Sequence, residues 1–230
     1  MATEEILGWA GTLTAILLGL PQLVRLARTR NLEGLSLPAW QAFLAVNLGW
    51  TAHGISIGQA PQVVASALSL ASTVPILYLL SRHLGRNFWL TLLPGFLLAV
   101  AMILIDQLFG SGAYGAVAII PAVLANAGQS VALVRSPHVR GVSVLFLILA
   151  VINQGLWVTW AILVADAGTT IAAGTTGVIA LFNLIWYTAR QSGVPAFWSK
   201  SMPAKVQPID TGKDSHPDPD FGAPHAIEPH

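Results

Sequence analysis

Seven apolar segments, each about as long as a membrane span, take up nearly all of the first 190 residues. They cover roughly 6–27, 36–57, 62–81, 88–108, 114–134, 142–164 and 169–190, and one crossing needs about 20 mostly apolar residues. Only 9% of the chain is charged and 54% is hydrophobic, too little polar surface to hold a 230-residue domain in water. The expected fold class is all-α integral membrane, with seven transmembrane helices.

Charge placement orients those helices. Arg25, Arg28, Arg30, Arg82, Arg86, Arg135, Arg140, Arg190, Lys200, Lys205 and Lys213 are all the Lys and Arg of the chain, and every one follows an odd-numbered segment. By the positive-inside rule that side is cytoplasmic. The N-terminus with Glu4 and Glu5 is then outside, as are the connections near Gln59, Asp106 and Asp166, and the expected location is the cell membrane, multi-pass. The acidic start, and the lack of a small-residue cleavage site before the arginines, make the first segment a retained helix and not a signal peptide.

The chain has no cysteine, hence no disulfide framework, haem-attachment motif or thiol nucleophile. A net charge of +1 gives no footprint for nucleic acid. From about residue 191 the composition changes: seven of the fourteen prolines fall in the last 40 residues, the signature of a disordered cytoplasmic tail. His216, His225 and His230 lie there without the close spacing of a preformed metal site.

The segments repeat. An offset of 107 residues lays Gly8 on Gly115, Gln22 on Gln129, Arg28 on Arg135, Gly34 on Gly141, Ser36 on Ser143 and Trp50 on Trp157. The cytoplasmic stretch 28-RTRNLEGLSL-37 falls over 135-RSPHVRGVSV-144. An offset of 109, allowing a longer outer loop in the second copy, then pairs Tyr78 with Tyr187. Matches at the same helix ends in both copies mark a duplicated unit. The expected organisation is residues 1–85 as one three-helix repeat, 86–110 as a linker helix, 111–190 as the second repeat and 191–230 as the tail. Three spans invert the chain direction, so the linker helix is what leaves the two three-helix bundles parallel, with a solute path between them near the midplane.

A first helix ending in Pro21-Gln22 before a basic loop, a repeat of three helices, and a 3+1+3 layout with the N-terminus outside and the C-terminus cytoplasmic together resemble the PQ-loop superfamily and, within it, the SWEET sugar transporters. The resemblance covers roughly residues 5–190 and implies a passive carrier whose two bundles rock to expose a central site alternately to each side.

The residues give that expectation chemical content. Proline inside a helix removes a backbone hydrogen bond and bends or loosens it, so Pro21 near the cytoplasmic end of the first span is a hinge or a static kink. Gln22 has an amide that bridges such a bend, and the second copy, Gly128-Gln129, keeps the amide while replacing the enforced kink by a permissive residue. Trp50 and Trp157 occupy equivalent positions in segments 2 and 6, where indole faces suit the apolar faces of a sugar ring. Trp9, Trp89 and Trp160 read as interfacial belt residues. One turn inward from the matched pair lie Asn47 and, in the second copy, Asn153 with Gln154, as helix-to-helix glue or path lining.

The resemblance also implies an asparagine on the third helix of each repeat, opposite the tryptophan. Here that depth holds Ser66, Ser69 and Thr73 in one copy and Thr175 and Thr176 in the other; Asn183, about two turns deeper, and Asn126 are candidates for the inner half of the path. Hydroxyls bond a polyol, but the departure weakens the case for sugar.

Charge within the spans is nearly absent. Asp106 and Asp166 read as loop-edge residues, and His53 remains as a lone helix histidine, a packing residue or a proton relay. A retinal Schiff base requires a lysine in the last span, whereas the first lysine is Lys200; no nucleophile–base pair or metal cluster points to an enzyme, and no cofactor is implied. The expected function is passive alternating-access uniport of a small neutral polar solute, a mono- or disaccharide foremost. The expected partners are that sugar-like small molecule and the lipid bilayer, not nucleic acid, with room for a homo-oligomer. The rivals are a PQ-loop cargo receptor or scaffold that binds without transporting, and a PQ-loop carrier of another solute such as an amino acid.

Overall fold

Where water is absent, every backbone N–H and C=O must be satisfied within its own segment, so apolar runs of this length become helices. The computed structural model describes residues 2–29, 35–136 and 142–197. These form seven α-helices: α1 (Thr3–Thr29), α2 (Leu37–Ser56), α3 (Ala60–His83), α4 (Phe88–Phe109), α5 (Ser111–Arg135), α6 (Val144–Leu163) and α7 (Ala167–Gln191). The side chains of Pro21, Gln22 and Asn126 and the surroundings of Gly128 lie outside the described residues, as does the tail from residue 198 with its three histidines. By length and composition, α3, α4, α6 and α7 are long and apolar enough to cross a membrane. α4 turns Trp89, Leu93, Phe96, Leu97, Leu104 and Leu108 outward, the surface expected where the surrounding medium is lipid.

The 107-residue offset recurs in the helix bounds. An offset of 107 maps α2 onto α6 and the start of α3 onto the start of α7. Ser36 and Ser143 are the N-caps of α2 and α6. The two connecting turns match as well: Gly58 at φ +70° corresponds to Ala165 at φ +56°, a left-handed conformation that costs a non-glycine residue more. Because those turns have the same length, the longer outer loop expected from pairing Tyr78 with Tyr187 does not exist. α3 and α7 start in register at Ala60 and Ala167, so the two-residue difference between Tyr78 and Tyr187 arises along the helices and not in a loop.

Within the first repeat α3 lies between α1 and α2; within the second α7 lies between α5 and α6. The repeats meet through α1 against α6 and α2 against α5, and α4 packs chiefly on α2. Small residues set the closest approaches. A Cβ on Gly8 would lie 2.9 Å from the Pro61 ring, and one on Gly115 would lie 2.4 Å from the Gly168 carbonyl oxygen. These are the same contact in the two copies, between the first and third helix of each repeat.

The helix ends divide the molecule chemically. Arg28, Arg82, Arg135 and Arg190 sit in the last turns of α1, α3, α5 and α7, favourably placed against the negative helix ends. That end is called basic here. The opposite end, with Asp106, Asp166 and the turns near residues 57–59 and 164–166, is called acidic.

Candidate functional site

Between the repeats lies a cavity of about 290 Å³, and its lining follows the duplication. Trp50 faces it with Trp157, Asn47 with Gln154, Ser69 with Thr176, and Gln62 with Thr169, each pair separated by 107 residues. The pseudo-two-fold axis passes between the last pair, since Gln62 Nε2 donates to Thr169 Oγ1 across it at 3.3 Å. None of the lining residues is ionisable. A second cavity of about 440 Å³ shares Val46, Ala122, Gln154 and Thr176 with the first and reaches Pro38 and Ala39 in the first turn of α2, toward the basic end.

The expected site residues separate by their bonding. Trp50 stands edge-on to Tyr114 at 4.7 Å between ring centroids, and Trp157 edge-on to Trp160 at 5.3 Å. Gly11 makes room for the Trp157 ring, which lies 3.0 Å from where a Cβ would be. Asn47 and Asn153 both reach the cavity. Asn47 Nδ2 donates to the Phe43 carbonyl on its own helix, whereas Asn153 Nδ2 donates to Gly11 O at 3.0 Å and Thr14 Oγ1 at 2.7 Å, tying α6 to α1. Ser69 and Thr176 point their hydroxyls at the equivalent carbonyls Ala65 O and Ala172 O, and Thr176 also lies 3.0 Å from Gln154 Oε1. Asn183 lines neither cavity; it is 1% exposed and accepts a hydrogen bond from Ser130 at 2.7 Å. Gln129 is half-buried in α5. Pro21 and Gln22 fall within α1 by backbone, with side chains outside the described residues.

Three expectations are corrected. Trp160 is no belt residue: it is fully buried against Gly8 and Trp157, while Trp89 is 73% exposed and Trp9 also faces outward. His53 is not alone. Asp106 and Asp166 are not loop-edge residues in water; both are buried and converge on the His53 ring.

This cluster lies on the acidic side of the cavity, beside Trp50 and Thr169 of its lining. His53 Nδ1 lies 2.7 Å from Asp106 Oδ2, and Nε2 lies 3.2 Å from Asp166 Oδ1, the latter too far off the N–H direction for a hydrogen bond. Tyr114 stacks on the ring at 4.9 Å and 17°. Asp166 caps α7, accepting from Gly168 N at 3.0 Å and Thr169 N at 3.1 Å as well as from the Ser111 hydroxyl. Burial alone would raise the carboxyl pKa of Asp166, but the nearby His53 ring together with hydrogen bonds from Ser111 and Thr169 outweighs it and holds the group well below the usual carboxylate range. The cluster joins α2, α4, α5 and the α6–α7 turn. It has no counterpart in the other copy, where the position equivalent to His53 is Trp160.

Gln62, Thr169 and Tyr114 were not among the residues singled out from the sequence, and His53, Asp106 and Asp166 were named there only as separate residues, not as a cluster. The available signal was two carboxylates at segment ends of a nearly uncharged chain: Asp106 in the last turn of α4, which Gly110 at φ +83° alone separates from α5, and Asp166 immediately before α7.

Comparison with solved structures finds a eukaryotic SWEET transporter with a TM-score of 0.64 at 13% sequence identity, a match spanning 83% of this chain and all of that one. No family model matches the sequence, and no curated protein matches it. The fold is therefore SWEET-like and that of a multi-pass helical membrane protein.

Proposed function

We propose that this protein is a carrier, not an enzyme, moving a small neutral polar solute, foremost a mono- or disaccharide, across the cell membrane by passive alternating access. In this reading all seven helices span the bilayer, the N-terminus and acidic end face outward, the basic end and tail are cytoplasmic, and residues 86–110 link the two three-helix repeats.

One observation carries the reading: the central cavity combines two repeat-related indole rings with amides and hydroxyls and contains no ionisable side chain. Such a lining gives apolar faces and neutral hydrogen-bonding groups, as a sugar requires, and offers no partner for a charged solute. At about 290 Å³ the cavity suits a small solute, with the adjoining space toward the basic end as the exit path. The eukaryotic SWEET transporter that shares the fold supports the same class of activity. Asn47 and Gln154 would contact the solute, whereas Asn153 fixes the wall. Pro21, Gln22 and Gln129 are proposed as the flexible elements of the basic end, and Asn183 as a brace between α5 and α7 beside the path.

Counterflow of radiolabelled mono- and disaccharides in proteoliposomes tests the proposal. Saturable exchange of at least one sugar is expected. Absence of flux for every sugar, with saturable flux of a neutral amino acid, would replace the substrate class; specific binding of a peptide without flux of any solute would make the protein a receptor.

A further inference from the structure

The His53 cluster adjoins the cavity wall at Trp50 and Thr169 on the acidic side, and its titratable groups do not line the cavity. His53 is 1% exposed and faces Asp106 from α4, Asp166 from the α6–α7 turn and Tyr114 from α5. From α3, also packed on α2, the polar residue nearest this end is the neutral Gln62; the ionisable groups of that helix, Tyr78, Arg82 and His83, lie toward the basic end. A neutral imidazole carries one N–H and one lone pair, so with a carboxylate oxygen near each ring nitrogen, one carboxylate would face the lone pair. Only the imidazolium sets a positive charge between the two carboxylates, hydrogen-bonded to Asp106 through Nδ1 and ion-paired with Asp166 at 3.2 Å without a hydrogen bond. Tyr114 closes off the ring face, and small residues fix the fit: a Cβ on Gly49 would lie 2.8 Å from the Tyr114 hydroxyl.

We propose that His53, held between Asp106 and Asp166, is a proton-binding site that latches the two repeats together at the acidic end, so that the cavity opens to that end on loss of the proton.

Opening this end must separate α2 and α4 from α5 and the α6–α7 turn, because those elements carry the three groups. A ring released into water loses its proton near the ordinary value of about 6.5. By linkage, acid therefore favours the latched arrangement and alkali the open one across the range in which histidine titrates. The site lies beyond the cavity and does not line it. A proton there exchanges with one compartment only and is not carried across with solute, so it alters the rate of opening and not the final distribution.

The chain's lack of cysteine permits a test that needs no solute. Ala65→Cys places one thiol in the cavity wall, and a membrane-impermeant thiol reagent is supplied from either side of oriented vesicles between pH 6 and 8.5. The ratio of acidic-end to basic-end labelling cancels the thiol's own pH dependence. It should rise about tenfold with pH, a coupling within the usual range between a bound ligand and a conformational change. The ratio should be flat in Ala65→Cys/His53→Gln, and higher than in the parent at pH 6 in Ala65→Cys/Asp106→Asn. A flat ratio in the parent overturns the proposal whether or not the latch variants fold, and so does an unchanged slope in the His53→Gln protein. The inference rests on the carrier reading only in treating the acidic end as one of two openings. Sugar flux with a flat ratio would refute the latch alone, and a sloping ratio without flux would refute the substrate alone.

Discussion

The two tryptophans look interchangeable by repeat position, but their neighbours give them different consequences. Trp50 rests on Tyr114 and His53, whereas Trp157 rests on Trp160 and Gly11. Loss of either indole should weaken solute binding about tenfold, roughly 1.4 kcal/mol, the scale of one lost aromatic face. Trp50→Ala alone should also raise thiol labelling from the acidic end. Solute binding measured by tryptophan quenching or calorimetry, beside the labelling ratio, separates the two; equal labelling in both variants would remove Trp50 from the latch. Asp166 carries a second residue-level consequence. Its folded-state pKa is depressed below the ordinary 3.8, so its hydrogen bonds stabilise the fold fully above that value and cease to do so as pH falls through and below it. Melting curves in detergent should show the parent losing stability between about pH 4 and 2 relative to Asp166→Asn, which starts lower at pH 7 but has a shallower slope. Parallel profiles would mean that the carboxylate is not held as described.

At the scale of helices, the contact of the first helix with the third in each repeat depends on the absence of a side chain. Gly115→Ala would put a methyl 2.4 Å from the Gly168 carbonyl oxygen, against backbone that has no rotamer to yield, and should cost about 1–3 kcal/mol as overpacking. Gly155→Ala on α6 meets nothing within 4 Å and should be neutral or stabilising by about 0.5–1 kcal/mol. Thermal unfolding of the two variants in the same detergent is the comparison; equal midpoints would show that the α5–α7 contact yields easily. Gly8 and Gly115 are also where the sequence is most informative, because a duplicated glycine marks a duplicated close approach. The segment bounds and the 107-residue offset were legible for a similar reason: spans repeat in apolar length, and turns repeat in the residues that begin and end them. The His53 cluster was not legible, because it breaks the repeat. Asp106 belongs to the linker helix, which has no second copy, and nothing in one-dimensional spacing brings residues 53, 106 and 166 to one point. Trp160 was misread on the same ground: an indole near a span end is equally consistent with lipid and with a neighbour such as Gly8.

For the molecule as a whole, the separation of a neutral, nearly symmetric cavity from an asymmetric charged closure makes a distinction that kinetics can read. In the proposed carrier, solute meets only neutral groups, so the ratio of its concentrations at equilibrium would not depend on a proton that stays on one side. The rate at which the acidic end opens does depend on it, because buried opposite charges must part and be hydrated before the repeats can move. With equal pH on both sides of proteoliposomes, counterflow should therefore quicken from pH 6 to 8 while the plateau stays fixed. An imposed pH gradient should change the approach to equilibrium without driving accumulation above it. His53→Gln should abolish the pH dependence of the rate and leave the plateau untouched. Uphill accumulation driven by the gradient would instead require the proton to cross with the solute. That outcome would place the His53 cluster in the transport path and not at its door, and would overturn passive uniport.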